Sequence, residues 1–155
     1  TGPPARQMEP ITGEIAPTEN GYTIDLRLPE HNDRLIAIGP VDDGRMASDG
    51  AVAMISPGSD DRYAVCEGTD LSRGGEQIVS STAAVTVGAA VDGGLFTAVI
   101  DASETATVSV QTPEDLTMVR VLGLDQPVDI SYDDEDGLMT LSVPPGRYTI
   151  QGRPL

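Results

Sequence analysis

The 155-residue chain carries a formal net charge of −16 at pH 7, and its nine basic residues are all arginine. This balance argues against nucleic-acid and anionic-membrane partners, because phosphate groups need clustered basic side chains and these arginines are scattered singly. The single cysteine excludes an internal disulfide. So dense an acidic coat is favoured where molar salt screens charge repulsion, and we therefore expect a protein of a salt-loving organism.

The first ten residues predict an extended arm or an interdomain linker. Thr1–Pro10 contains three prolines and a glycine and shows no periodicity. From Ile11 onward the chain consists of short β-type runs divided by Gly, Pro, Asp and Asn, and no segment has a helical period. Residues 11–152 are therefore expected to form a single β domain. No apolar run has the length of a membrane span, so membrane insertion is not expected.

Alternation of apolar and polar residues marks the early strands. The segment from Tyr22 to Leu28 places apolar residues at every second position, which is typical of a strand with one wet face. Further β-type runs follow at Leu35–Ile38, Ala51–Ser56, Arg62–Glu67 and Gln77–Ser80.

The strongest local signal predicts a β-hairpin at Ala84–Val91, Asp92-Gly93 and Gly94–Asp101. A two-residue Asp-Gly loop is a common hairpin connection, and it predicts a register for the two strands. In that register the opposed pairs are Val91–Gly94, Ala89–Phe96, Val87–Ala98 and Val85–Ile100. Val87 and Phe96 are then expected inside the core, since a shift by one residue would bury threonines instead.

The remaining runs continue the same pattern of strands and turns to the end of the chain. They are Ala106–Gln111, Met118–Leu122, Val128–Tyr132, Leu138–Val143 and Arg147–Gln151. Strands every eight to twelve residues without intervening helices predict an all-β fold, an antiparallel β-sandwich or related two-sheet assembly of about twelve short strands with no substantial helix.

The densest carboxylate cluster, Asp133–Asp136, could in principle hold Ca²⁺. Its spacing does not match the helix-loop-helix calcium motif, because Tyr132 would take the first ligand position and Val143 the last. We interpret the cluster as a solvated hairpin turn. Asp42-Asp43-Gly44 and Asp60-Asp61 are likewise interpreted as turns in which aspartate side chains bond their own backbone.

No residue is assigned a catalytic, cofactor-binding or metal-binding role. His31 lies in a loop between two predicted strands, which is typical of a surface histidine, and Cys66 lies in an alternating run that favours a buried, inert thiol. Zinc sites and Ser-His-Asp arrangements are nearly excluded, because they need His or Cys partners and the chain has one residue of each type. Thr1 is followed by Gly-Pro-Pro rather than a strand, which disfavours an amino-terminal nucleophile. The Gly74-Gly75 and Gly93-Gly94 pairs are turn glycines, since no helix follows them.

Three segments resemble the carboxy-terminal β domain of heparinase II/III-like polysaccharide lyases. They are Asp49–Ser56, Arg62–Leu71 and Gly74–Glu76, and the closing Leu138–Ile150 is similar to the last hairpin of many carbohydrate-enzyme β domains. In that family an α/α toroid precedes the β domain and supplies the proton-abstracting residues. The resemblance therefore implies a noncatalytic, accessory β domain that shapes a glycan cleft beside such a helical domain, in a secreted or cell-surface protein.

Two alternatives stay open from the sequence. The first is a structural subunit of a cell-surface layer or filament, assembled through β-edge contacts or a donated strand such as the Thr1–Pro10 arm. The second is a self-contained glycosidase that uses a pair of carboxylates, which no sequence rule can select among 25 acidic residues. Self-association is compatible with the first alternative.

Overall fold

The computed structural model describes residues 2, 10–59, 61–113, 116–123, 128–133 and 135–154, so most of the predicted arm Thr1–Pro10 lies outside the described residues. Fourteen β-strands and one short 3-10 helix, Pro29–His31, form the regular structure of this part of the chain. The strands are β1 (Thr12–Pro17), β2 (Tyr22–Arg27), β3 (Arg34–Ile38), β4 (Val41–Asp42), β5 (Met46–Ser48), β6 (Val52–Ile55), β7 (Arg62–Arg73), β8 (Glu76–Asp92), β9 (Leu95–Ala102), β10 (Ala106–Gln111), β11 (Leu116–Leu122), β12 (Ile130–Asp133), β13 (Leu138–Val143) and β14 (Gly146–Pro154).

All strand pairs are antiparallel and the described residues contain no α-helix, which confirms the predicted fold class. Two strands are longer than the runs identified in the sequence, since β7 has 12 residues and β8 has 17. The runs Gln77–Ser80 and Ala84–Val91 are two parts of β8. Between them, the Ser81 hydroxyl accepts a hydrogen bond from the backbone N–H of Ala83, and the Thr82 hydroxyl accepts one from the backbone N–H of Thr107.

Two sheets share the β7–β8 hairpin. Sheet I has the strand order β1-β2-β3-β6-β7-β8-β9-β14-β11, and sheet II has the order β4-β5-β7-β8-β10-β13-β12. Within the hairpin, Arg62–Gly68 pairs with Val85–Ala90 in sheet I, whereas Asp70–Arg73 pairs with Glu76–Ser80 in sheet II. The sheets are therefore two parts of one hydrogen-bonded network that bends in the middle of its longest strands.

The inward side chains of both sheets pack into one buried cluster. A hydrogen bond also joins the sheets, because the Tyr63 hydroxyl of β7 donates to the backbone oxygen of Gln111 in β10 at 2.6 Å. The largest fully buried side chains are Tyr63, Phe96, Leu35, Met46, Ile55, Leu71, Ile78, Ile100, Met139, Leu141, Ile150 and Val65. Period-two alternation places these residues on the shared inner side, which confirms the two-sheet assembly predicted from the sequence.

The β8–β9 hairpin turns at Gly93-Gly94 rather than at Asp92-Gly93. The predicted register is therefore wrong by two residues, and the observed pairs are Val91–Phe96, Ala89–Ala98, Val87–Ile100 and Val85–Ala102. Gly93 and Gly94 have φ angles of 57° and 75°, and a two-residue turn that needs positive φ at both positions favours glycine at both. A shift by two preserves the inward face, so the predicted burial of Val87 and Phe96, 0% and 1% exposed, is confirmed.

Strand β7 passes from sheet I to sheet II at a bulge around Gly68. Its register with β8 shifts on both sides of Gly68, and the preceding Glu67 has a φ of 53°. The backbone of Gly50 packs directly on this bulge. A Cβ atom at Gly68 would lie 2.9 Å from the Cα of Gly50 and 2.7 Å from Cγ2 of Val65, so only glycine allows the two segments to approach so closely.

We predict that Gly68→Ala lowers the free energy of unfolding by about 1–3 kcal/mol, because the added methyl group overpacks the bulge. The matched control is Gly88→Ala in β8, where a Cβ would have no neighbouring atom within 4 Å. The control is expected to retain stability or to gain up to about 1 kcal/mol, since glycine weakens a strand interior. Urea denaturation of both variants measures the difference, and equal stabilities would contradict the close-packing account.

Candidate functional site

Strand β2 has its apolar side on the outside of the sandwich. Thr23 is only 3% exposed and faces inward, whereas Tyr22 on the opposite side is 53% exposed. The sequence pattern indicated a strand with one wet face, and the structure shows that the face with Tyr22, Ile24 and Leu26 is the outer one. A strand that turns its apolar side away from its own core needs another explanation than core packing.

The outer face of sheet I continues this apolar side across neighbouring strands. Strand register aligns one row of side chains from Ile15 to Met54 and a second row from Pro17 to Val52. We call these two rows the outer apolar surface; its members are Ile15, Ile24, Ile36, Met54, Pro17, Tyr22, Ile38 and Val52. None of them is charged, although the chain carries 25 acidic residues. Ile15 is 69% exposed, more than Tyr22, Ile38 or Val52.

Strand β1 forms one edge of this surface. All six of its residues are exposed, and among the described strands it pairs only with β2. Its second edge therefore presents backbone N–H and C=O groups to solvent, where another strand could pair with them. Glu14 is the one charged residue on this strand, and Pro17 at its end lacks an N–H donor.

A polar cavity of about 510 Å³ opens at the end of β3, β6 and β7 in sheet I. Two loops enclose it, the β2–β3 loop with Asn32 and Asp33 and the β6–β7 loop with Ser59 and Asp61. Its lining residues are Glu30, Asn32, Asp33, Arg34, Ser56, Pro57, Gly58, Ser59, Asp61 and Arg62. The cavity thus gathers side chains of both charges from segments that are distant in sequence.

Arg34, Ser56 and Arg62 lie in one row across three neighbouring strands of the cavity wall. The registers of Leu35 with Ile55 and of Ile55 with Tyr63 set this alignment, and the backbone N–H of Ser56 donates to the backbone oxygen of Arg62 at 3.1 Å. The Arg34 guanidinium is held in place because its Nη1 donates to the backbone oxygens of Asn32 and Asp33 at 2.9 and 2.8 Å. The row therefore places one arginine on each side of Ser56.

Ser56 is 5% exposed, and its hydroxyl has no hydrogen-bond partner among the described residues. Buried polar atoms in folded proteins are nearly always hydrogen-bonded, so an unpartnered hydroxyl in a cavity wall needs an explanation. The sequence did not identify this row, because the two Asp-Arg pairs at 33–34 and 61–62 look like ordinary strand starts until the fold brings them together.

A second cavity of about 370 Å³ is lined by acidic residues, among them Asp42, Asp49 and Asp70. Asp49 accepts hydrogen bonds from the backbone N–H groups of Thr69 and Asp70 and from the Thr69 hydroxyl. Burial raises the pKa of Asp49, but these hydrogen bonds outweigh burial and hold its pKa below the usual value. Asp49 therefore anchors the bulge of β7, and the described residues contain no group of three or more His, Cys, Asp or Glu placed to hold a metal ion.

The predicted turns are found where their side chains can be described. Asp42 and Asp43 accept hydrogen bonds from the backbone N–H groups of the residues that follow them, which confirms the interpretation of Asp42-Asp43-Gly44. Asp133 accepts hydrogen bonds from the N–H groups of Glu135 and Asp136 in the β12–β13 turn, as predicted for Asp133–Asp136. Asp60 and Asp134 lie outside the described residues.

The remaining residues considered in the sequence analysis lie in different elements where the structure describes them. His31 ends the Pro29–His31 turn between β2 and β3, where a loop was predicted, and its side chain is not among those described. Cys66 in β7 is half-buried on the outer side of sheet I, so the prediction of a buried thiol is only partly correct. Thr1 lies outside the described residues. Gly74 has a positive φ in a tight turn, as predicted.

Comparisons with protein-family models and with curated proteins find no match for this chain. Within the described residues, no helix is long and apolar enough to cross a membrane.

We predict that Asp49→Asn destabilises the protein at neutral pH and that this difference shrinks in acid. The folded-state pKa of Asp49 lies below the unfolded value of about 3.9, so its stabilisation is complete above that value and is lost as the pH falls through the folded-state pKa. The expected loss at pH 7 is about 1–2 kcal/mol. Urea denaturation across the acidic range measures the difference in stability between the variant and the wild type, with Asp101→Asn in β9 as a control. If that difference stays constant down to pH 2.5 (about 1.4 units below the unfolded-state pKa), the anchoring role is refuted.

Proposed function

We propose that the chain is a noncatalytic structural β module that assembles with further copies of itself through the outer apolar surface and the free edge of β1. The observation that carries the proposal is the orientation of β2, which directs Tyr22, Ile24 and Leu26 away from the core. Four side chains of this surface, those of Ile15, Tyr22, Ile38 and Val52, are 40% exposed or more, and a contiguous exposed apolar surface is typical of an interaction site.

A second copy fits this surface better than an unrelated acidic partner. Since no carboxylate lies in the outer apolar surface, two copies can meet there while the carboxylates that give the chain its charge of −16 stay in solvent. Strand β1 can pair antiparallel with β1 of another copy, which would extend sheet I and place the two apolar surfaces side by side on one face, where the apolar surfaces of further copies could cover them.

Charge repulsion gives this assembly a defined salt dependence. Two copies at −16 repel one another at low ionic strength, and the repulsion is screened once the Debye length falls to a few ångströms. Apolar contacts are not weakened by the same salt. Assembly should therefore strengthen as salt rises, which agrees with the salt-loving origin expected from the composition. A subunit of this kind would lie at the cell surface or outside the cell.

The second candidate is the carbohydrate-active role implied by the resemblance to heparinase II/III-like β domains. Its support is the polar cavity beside Arg34 and Arg62, whose hydrogen-bonding groups could form one wall of a glycan cleft. In this role the outer apolar surface would pack against a preceding α/α domain instead of a second copy. The scarcity of aromatic residues favours the first candidate, since Tyr63, Phe96 and Tyr148 are buried and none of the described residues that line the polar cavity is an aromatic one that could stack on a sugar.

We predict that the double variant Ile15→Thr, Ile38→Thr weakens self-association at least 10-fold (about 1.4 kcal/mol), because threonine keeps strand propensity while it removes apolar contact area. Sedimentation equilibrium at low and molar salt measures the dissociation constant. The wild-type protein should associate more strongly at high salt.

The matched control is Leu122→Thr, which removes an equally exposed apolar side chain on β11 at the far end of sheet I. It should associate like the wild type. A wild-type chain that remains monomeric at every salt concentration would overturn the assembly proposal and leave the cleft-forming module as the better candidate.

A further inference from the structure

The polar cavity contains charges of both signs that do not pair with one another. Arg34 and Arg62 line it together with the carboxylates of Glu30, Asp33 and Asp61. Among the described residues the ion pairs are those of Arg45, which lies elsewhere, so no salt bridge joins the two arginines to these carboxylates. Opposite charges that share a cavity without touching leave room for a ligand that bridges them.

The basic side of the cavity carries groups that bind carboxylates. Arg34 and Arg62 flank Ser56 in the row described above, and guanidinium groups bind carboxylate oxygens with paired, directional hydrogen bonds. Because two backbone oxygens already fix Nη1 of Arg34, its remaining N–H groups are held in position before a ligand arrives. The unpartnered Ser56 hydroxyl could donate to the same ligand group after rotation about its Cα–Cβ bond.

The acidic side of the cavity suits a cationic group. Asp33 and Asp61 directly precede the two arginines in sequence and belong to the two loops that enclose the cavity. One oxygen of Asp33 accepts a hydrogen bond from the backbone N–H of Leu28 at 3.3 Å, which orients this carboxylate and leaves its second oxygen available. An ammonium group offers three donors for such oxygens.

The charges that line the cavity favour one class of ligand over the others. A simple anion would meet three carboxylates in the same cavity, and a simple cation would meet two guanidinium groups. A molecule with a carboxylate at one position and an ammonium at another avoids both repulsions. The volume of about 510 Å³ is sufficient for a small molecule of this kind.

We infer that this cavity binds a small zwitterion of the α-amino acid type, with its carboxylate at Arg34, Ser56 and Arg62 and its ammonium group at Asp33 and Asp61. The inference does not depend on self-assembly, because the cavity lies at the end of sheet I and shares no residue with the outer apolar surface.

The test compares four small probes by isothermal titration and by NMR of the ¹⁵N-labelled full chain. L-Serine is the zwitterion, ethanolamine lacks its carboxylate, 3-hydroxypropanoate lacks its ammonium group, and glucose is neutral. L-Serine should bind at least 10-fold more tightly than the other three, and the shifted amide signals should belong to residues 32–34, 56, 58, 59, 61 and 62. Equal binding of L-serine and 3-hydroxypropanoate would overturn the zwitterion assignment, as would binding of glucose alone.

Substitutions at the cavity separate a ligand role from a structural one. Arg62→Gln should weaken L-serine binding at least 10-fold, while Arg120→Gln, on the same face but outside the cavity, should not change it. Asp61→Asn should weaken L-serine binding and strengthen 3-hydroxypropanoate binding, an opposite response that a general loss of structure cannot produce. If Asp61→Asn weakens both probes equally, or if L-serine does not bind the wild-type protein, the inference is wrong.

Discussion

The close contact between Gly50 and the Gly68 bulge is the constraint on which the rest of the structure depends. Strand β7 can pass from sheet I to sheet II only if its backbone bends there, and the bend is possible because neither glycine has a side chain to separate the two segments. Asp49 completes the joint, since it accepts hydrogen bonds from the N–H groups of Thr69 and Asp70 directly after Gly68.

Because of this joint, the two sheets share one inner side, and each sheet has its own outer side. Both halves of the β7–β8 hairpin direct alternate residues into one core, where Val65 of sheet I and Leu71 of sheet II are completely buried. Most of the other strands of the two sheets also contribute to this core, but β1 and β2 add no residue to the buried apolar cluster. The outlying strands β1 and β2 extend sheet I beyond it, and the apolar residues of β2 consequently lie on the outside, where contact with a second copy would cover them.

The sequence predicted the all-β class because period-two alternation and turn residues are local signals. It also predicted the burial of Val87 and Phe96. That burial depends only on which of the two alternating faces of a strand a residue lies on, and a register shift of two residues does not change the face. The hairpin register was wrong by two residues, since Asp92-Gly93 and Gly93-Gly94 are both acceptable turns and only the left-handed geometry of both glycines decides between them. Alternation in β2 could not show which side faces the core, because that depends on strands distant in sequence.

The candidate sites were less predictable than the fold for the same physical reason. Arg34 and Arg62 are adjacent in space because β6 lies between their strands, and no local pattern connects them. The carboxylate clusters of the sequence are mostly turns in which aspartate side chains accept hydrogen bonds from nearby backbone N–H groups, as at Asp43 and Asp133. Abundant residues therefore gave misleading signals in this chain, whereas the informative residues were the few arginines and a single buried serine.

Native-state hydrogen exchange of the β7 and β8 amides tests the central claim most directly. If the bend at Gly68 makes one cooperative unit of the two sheets, amides of Val65 in sheet I and of Leu71 in sheet II should exchange only through global unfolding, with the same free energy and the same dependence on denaturant. Exchange of the sheet II half through a separate opening of lower free energy would contradict the account.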